Sequence, residues 1–176
     1  MERKRIRDFG FVPGRLQTGK RNKITDVPGV KVGHCTVKTE ENHTGVTVIL
    51  PGGDNAFAKK YIAAAYVHNG LGKSAGLVQI EELGTLETPI ALTNTLNVGK
   101  VWDAMVDIVV EQCNQDGLEP MSINPVVGEC NDCRINQIQK RAVGTAEVRR
   151  AYAQPKDTAR VHRLPDVVVD GQQRRI

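Results

Sequence analysis

The chain has 176 residues, 40% of them apolar, 25% charged and only 4% aromatic, with a formal net charge of +4. That is the size and composition of one soluble globular domain whose core is built mainly from Val, Ile, Leu and Ala. No apolar run approaches the roughly 20 residues needed to span a bilayer. The basic start, MERKRIRDFGFVPGRL, lacks the apolar stretch of a signal peptide, so the expected compartment is the cytoplasm.

In chain order, residues 1–23 read as a basic, weakly structured arm. Ile24 to Val37 alternates apolar and polar residues around Pro28-Gly29, which predicts strands joined by a turn. Thr44–Leu50 is β-branched and ends at Pro51-Gly52-Gly53, a strand with a strong stop. Ala56 to Val67 is alanine-rich and predicts a helix, or a helix leading into a strand at Tyr66-Val67-His68. Gly76–Glu82 and Pro89–Asn94 read as two further strands. Asn97 is placed to cap a helix with Val101, Met105, Ile108, Val109 and Cys113 on one face. Asp103, Asp107 and Glu111 lie on another and are expected to meet solvent. Asn124–Gly128 predicts a short strand, Glu129–Asn136 a polar loop, and Thr145 the cap of a last helix stopping at Pro155. Strands and helices interleave, so the class is mixed α/β (α+β).

The stretch from Asn69 to Gly99 is the richest in site signals. Gly70, Gly72 and Gly76 admit positive φ or close backbone approach, and they present Lys73 and Ser74 where bulk is least. Gly72-Lys73-Ser74-Ala75-Gly76 matches the G-x-S-x-G nucleophile elbow. That turn needs a strand before it and a helix after it, and the Ser–acid–His order would leave only His162 as base. A phosphate-binding G-x-x-x-x-G-K-[ST] loop would need glycine where Val67 stands, so a nucleotide is a weaker reading. Cys130-Asn131-Asp132-Cys133 has the CxxC spacing of zinc and redox sites, but no second pair accompanies it, and reduced structural thiols are expected instead. From Arg134 onward ten Lys/Arg face four Asp/Glu with Tyr152 the one aromatic, which suits solvated surface better than nucleic acid. With Ser74 and Ser122 the only serines, the residues themselves point to a binding surface without an evident nucleophile.

Four blocks in order, ITDVPGVKVGHCT (Ile24 to Thr36), GVTVILPGG (Gly45 to Gly53), Asn69 to Gly99 and NPVVGECNDCRIN (Asn124 to Asn136), resemble the α-subunit region of the self-processing L-aminopeptidase/D-esterase family, which includes β-peptidyl aminopeptidases. The resemblance implies part of an αββα sandwich like that of N-terminal-nucleophile hydrolases, acting on amide or ester bonds beside a free amino group, with no cofactor or metal and no nucleic acid or membrane partner. It implies a β-subunit beginning with a Ser or Thr nucleophile, and a homo-oligomer.

Residue by residue, Asn136 matches the family asparagine that stabilises the oxyanion, with Asn131 its neighbouring alternative. Asn69, Gly70 and Lys73 fall on the substrate side, with Glu82 and Asn94 either supporting the site or structural. Lys73 stands where some members carry an acid facing the substrate amine. A lysine there would repel an ammonium and favour a carboxylate or an internal amide. Gln137 replaces a common aspartate. The resemblance covers residues 24–152. Residues 153–176 form an unmatched basic tail without the nucleophile, so this chain is expected to be inactive alone, and a truncated or frame-shifted product explains such a tail. A non-catalytic interaction protein is the alternative.

Overall fold

The core is a hairpin extended by two more strands. β1 (Lys31–Lys38) pairs antiparallel with β2 (His43–Leu50), in a register that sets Cys35 opposite Val46 and Gly33 opposite Val48. Alternation along β2 places Val46 and Val48 on one face, where both are fully buried. The computed structural model describes residue 4 and residues 6–156. Two 2-residue strands, β3 (Tyr61–Ile62) and β4 (Thr85–Leu86), pair with each other and flank helix α1 (Leu77–Leu83). β5 (Ile90–Asn94) then joins β2 antiparallel, helix α2 (Val98–Gln115) crosses over, and β6 (Val126–Cys130) returns parallel to β5. The main sheet has the order β1-β2-β5-β6, and helix α3 (Thr145–Ala153) closes the described chain.

The two faces of this sheet carry different cores. Val46, Val48, Ala91 and Val127 meet Val101, Ala104, Met105 and Ile108 of α2 and Val148 and Ala151 of α3. Ile90 and Val126, one residue out of phase, face the other way and pack with Ile80, Leu86 and Tyr61. The helical side is tight. A Cβ at Gly33 would lie 1.8 Å from the Ala151 carbonyl oxygen, so only glycine lets α3 sit down on β1.

The mixed α/β class holds, as do the strands over Thr44–Leu50 and Pro89–Asn94 and the α2 stripe. Val101, Met105, Ile108, Val109 and Cys113 are buried, while Asp103, Asp107 and Glu111 are exposed.

Other expectations fail for local reasons. Gly76–Glu82 is a helix. Gly76 sits at φ 80° against Pro125, Leu77 and Ile80 turn to one side at i, i+3, and Gly84 in the left-handed region donates its N–H to the Ile80 carbonyl. Ala56–Val67 is neither helix nor a strand at Tyr66–His68. The Asn55 side chain holds a turn by accepting the Phe57 N–H, and the strand falls at Tyr61–Ile62 because β4 is there to pair with it. Before Gly29 the chain forms a short 3-10 turn (Ile24–Asp26) and no strand, so β1 starts only at Lys31. Asn97 does not cap α2 with its side chain, which donates to the Val143 carbonyl, and Gly144, with the Glu147 carboxylate returning to its N–H, occupies the cap position of α3 expected of Thr145. His162 lies outside the described residues, as does the tail from residue 157.

Candidate active site

The site residues gather beyond the C-terminal ends of β5 and β6. β6 ends at Cys130, and the chain turns so that the Ile135 N–H reaches the Asp132 carbonyl. This turn carries Asn136 inward, where it is 6% exposed. Its Oδ1 accepts a hydrogen bond from Asn42 Nδ2 at 2.7 Å, and its Nδ2 donates to Asp132 Oδ1 at 2.9 Å. Asn42 Nδ2 also donates to the Gln137 carbonyl at 3.3 Å, and a carbonyl can only accept, so the orientation of both amides is fixed. Among the described residues the second N–H of Asn136 has no acceptor. A primary amide held from both sides with one N–H to spare is a preorganised donor for negative charge on oxygen.

Asn131, by contrast, is exposed, and its Oδ1 is turned back to accept the Cys133 N–H at 3.0 Å. It supports the turn as an Asx motif does and is not brought into the Asn42–Asn136–Asp132 cluster by any of these bonds. Glu82 is exposed on α1, whereas Asn94, at the end of β5, is fully buried and donates from Nδ2 to Thr44 Oγ1 at 2.8 Å.

The other expected residues lie on the loop over residues 63–76, which is anchored to the outer edge of β6. Ala75 exchanges backbone hydrogen bonds with Val127, at 2.9 and 3.1 Å, and the Lys73 N–H reaches Glu129 Oε1 at 3.3 Å. Glu129 Oε2 in turn accepts the Thr95 hydroxyl. This tie brings the glycine loop and the end of the sheet together around a cavity of about 450 Å³, lined among others by Tyr66, His68, Asn69, Ser74, Glu81 and Glu129.

Asn69 lines it and uses its Oδ1 to accept the Leu71 N–H at 2.9 Å, and Gly70 follows on the exposed side of that turn. The Lys73 side chain folds back onto the Leu71 carbonyl and is not among the cavity-lining residues. Two carboxylates, Glu81 and Glu129, are among the residues that line the cavity. Ser74 is followed by a helix but preceded by irregular chain, so the nucleophile-elbow context is half met and the strand it requires is missing.

Among the described residues no group of three or more His, Cys, Asp or Glu side chains is placed to hold a metal ion. Cys35 and Cys113 are buried, Cys130 half-buried and Cys133 exposed, and none of the four is paired in a disulfide. Burial pushes the Cys35 thiol up from its ordinary range, opposed by the Arg150 charge, and pushes Cys113 up against a weak hydrogen bond from Asn55.

Residues 22–168 match the family described as Peptidase family S58. The chain belongs to that family. It is 38% identical over 143 residues to the β-peptidyl aminopeptidase BapA of Sphingosinicella xenopeptidilytica, covering 76% of this chain and 35% of the relative. It thus spans about a third of the length of the curated relatives it matches. Among solved structures, a Burkholderia β-aminopeptidase superposes with a TM-score of 0.77 at 41% identity, over 87% of this chain and 44% of that one. The L-aminopeptidase D-Ala-esterase/amidase of Ochrobactrum anthropi, described as a new variant among the Ntn hydrolase fold, gives a TM-score of 0.73 at 31% identity, over 87% and 45%. The helix-covered sheet is thus one part of an Ntn-hydrolase-like architecture.

Two site residues escaped the sequence reading. Asn42 lies in the β1–β2 turn, 94 residues from the amide it holds, and Asp132 acts only through the turn after β6. The Asp132–Asn136 spacing of four was visible, but nothing in it distinguishes a clamp from a polar loop.

Proposed function

We propose that this chain is the α region of a self-processing S58 aminopeptidase or amidase, acting on amide or ester bonds of small aminoacyl or peptide substrates, and inactive until joined by a segment that begins with Ser or Thr. The fixed Asn136 amide carries this reading. In the proposed reaction, the hydroxyl of the first residue of that segment attacks the scissile carbonyl while a neighbouring amine accepts its proton. Charge gathers on the carbonyl oxygen, and the spare N–H of Asn136 meets it at no cost in reorganisation. The tetrahedral species collapses as that proton passes to the departing amine or alcohol, and water, activated by the same amine, then releases the acyl group as an acid and restores the hydroxyl.

The cavity beside Asn69 and Gly70 is proposed to take the free amino end of the substrate. Its two carboxylates suit a cation. The exposed Ile62, Tyr66, Leu71 and Val78 support burial against a β-subunit or further copies in a homo-oligomer. No helix among the described residues is long and apolar enough to cross a membrane.

The test is to assemble the chain with the β segment of a family member and follow hydrolysis of an aminoacyl p-nitroanilide. Asn136→Ala should lower kcat by about 10²–10³ with little change in KM, as loss of one oxyanion donor does. Full activity in that variant would remove Asn136 from the mechanism. No activity in any correctly assembled pair would refute the hydrolase reading itself.

A further inference from the structure

Two buried acceptors at the end of the sheet lack donors among the described residues, Asp132 Oδ2 and Asn94 Oδ1. Asp132 is 4% exposed and Asn94 0%. Both side chains are otherwise committed, Asp132 Oδ1 to Asn136 and Asn94 Nδ2 to Thr44, so each is held with one oxygen unused. Both are also tied to the same few residues at the start of β2. Asn94 reaches Thr44 directly, and Asp132 reaches Asn42 through Asn136. Register agrees, since Asn94 stands opposite Cys130, two residues before Asp132. A buried carboxylate oxygen with no donor is costly to keep, and a donor brought in from outside these residues would relieve that cost.

From this juxtaposition we propose that Asp132 and Asn94 form the acceptor pair for the amino group at the head of the nucleophile-bearing segment, which makes both of them positioning residues. The proposal rests on the reading of the chain as an S58 α region and deepens it. An ammonium or amine supplies several N–H donors on one atom, which matches two acceptors held by one hairpin better than a lone hydroxyl does. Asp132 then has two linked tasks. Oδ1 holds Asn136 so that its spare N–H stays fixed, and Oδ2 fixes the amine that sits beside the attacking hydroxyl. Oxyanion donor and nucleophile would be referenced to one carboxylate.

The experiment uses the full chain and L-serinamide, which carries an amino group beside a hydroxyl as the first residue of such a segment would. Binding is followed by the shifts of the Asn94 and Asn136 side-chain amide signals in NMR spectra, with N-acetyl-serinamide as the control lacking the amine. Saturable shifts with serinamide and none with the acetylated control are expected. Asp132→Asn keeps an acceptor for Asn136 but presents N–H groups where the amine should sit, so it should weaken binding at least about tenfold. Its melting temperature should stay level or rise, since the buried charge is removed. Asn94→Asp, which can still accept the Thr44 hydroxyl, should tighten binding and serves if the first variant does not fold.

Equal binding of the two probes, unchanged affinity in the variants, or a lowered melting temperature with binding intact would overturn the assignment. Binding does not depend on turnover. An active assembled enzyme without serinamide binding would sink this proposal alone, and binding without any activity would sink the hydrolase reading alone.

Discussion

Substituting Asn42 tests how the Asn136 amide is held, because Asn42 has no other evident role. It is 6% exposed, and its Nδ2 serves both Asn136 Oδ1 and the Gln137 carbonyl. In Asn42→Ala the Asn136 oxygen loses its donor in a buried setting, which costs about 1–3 kcal/mol. Asn42→Asp is isosteric but should be worse. The new carboxylate faces two carbonyl-type oxygens and donates to neither. Turning the Asn136 amide over offers no escape, since its oxygen would then meet Asp132 Oδ1. A buried carboxylate left without a partner costs about 3–5 kcal/mol.

The two variants also separate by pH. In Asn42→Asp the introduced carboxyl, when protonated, could donate to Asn136 Oδ1, so the folded state holds that proton more tightly than the unfolded state does. Stability of Asn42→Asp should therefore fall as pH rises out of the acid range, while the Asn42→Ala defect stays flat. Urea unfolding followed by far-UV circular dichroism at neutral and acid pH measures both. An Asn42→Asp protein as stable as Asn42→Ala at neutral pH, or either within about 0.5 kcal/mol of the parent, would refute the two-sided clamp.

Gly33→Ala should separate β1 from α3, because its Cβ would meet the Ala151 carbonyl oxygen at 1.8 Å; a loss at or above the upper end of about 1–3 kcal/mol is expected in the same unfolding assay. Alkylation with iodoacetamide, read by peptide mass, should modify exposed Cys133 first and leave Cys35 and Cys113 until the chain unfolds, since burial holds both thiols up and away from the reactive thiolate. On the surface, hydrogen bonds from Arg149 to Glu111, at 2.6 and 2.8 Å, hold that carboxyl below its ordinary range. Its folded value being the lower one, any stabilisation is present above the ordinary glutamate range and is lost as pH falls through the folded value. Melting curves of Glu111→Gln should differ slightly from the parent at neutral pH and coincide with it in acid.

The parts of this fold that were legible in the sequence are those set by local pattern over a long enough stretch. β2 carries an unbroken β-branched run from Val46 to Ile49, and α2 repeats its apolar residues over about five turns, so both could be placed without knowing their neighbours. The failures are short segments whose state is decided elsewhere. Leu77-Val78-Gln79-Ile80 is apolar enough for a strand, but Gly76 and Gly84 bracket it in left-handed conformations and permit only a short helix. Tyr61 and Ile62 become a strand because Leu86 and Thr85 arrive beside them, a long-range pairing that alanine content cannot report.

The candidate site divides along the same line. Asn136 could be picked out because its residue type suits the chemistry and because its surrounding block resembles a family. What makes it usable is a donor in the β1–β2 turn and an acceptor four residues back, and neither partner differs in type from many solvent-facing Asn and Asp residues. Lys73 shows the converse. Sequence places it in the glycine loop, and the folded loop turns its side chain onto the Leu71 carbonyl. A sequence places the backbone of a loop residue; the direction of a four-carbon stem depends on which acceptor the folded loop offers. Here Leu71 offers one two residues away, while Glu129 accepts the Lys73 backbone N–H and the Thr95 hydroxyl. The electrostatic character of the cavity thus follows from Glu81 and Glu129, residues far apart in the chain that only the fold brings to one wall.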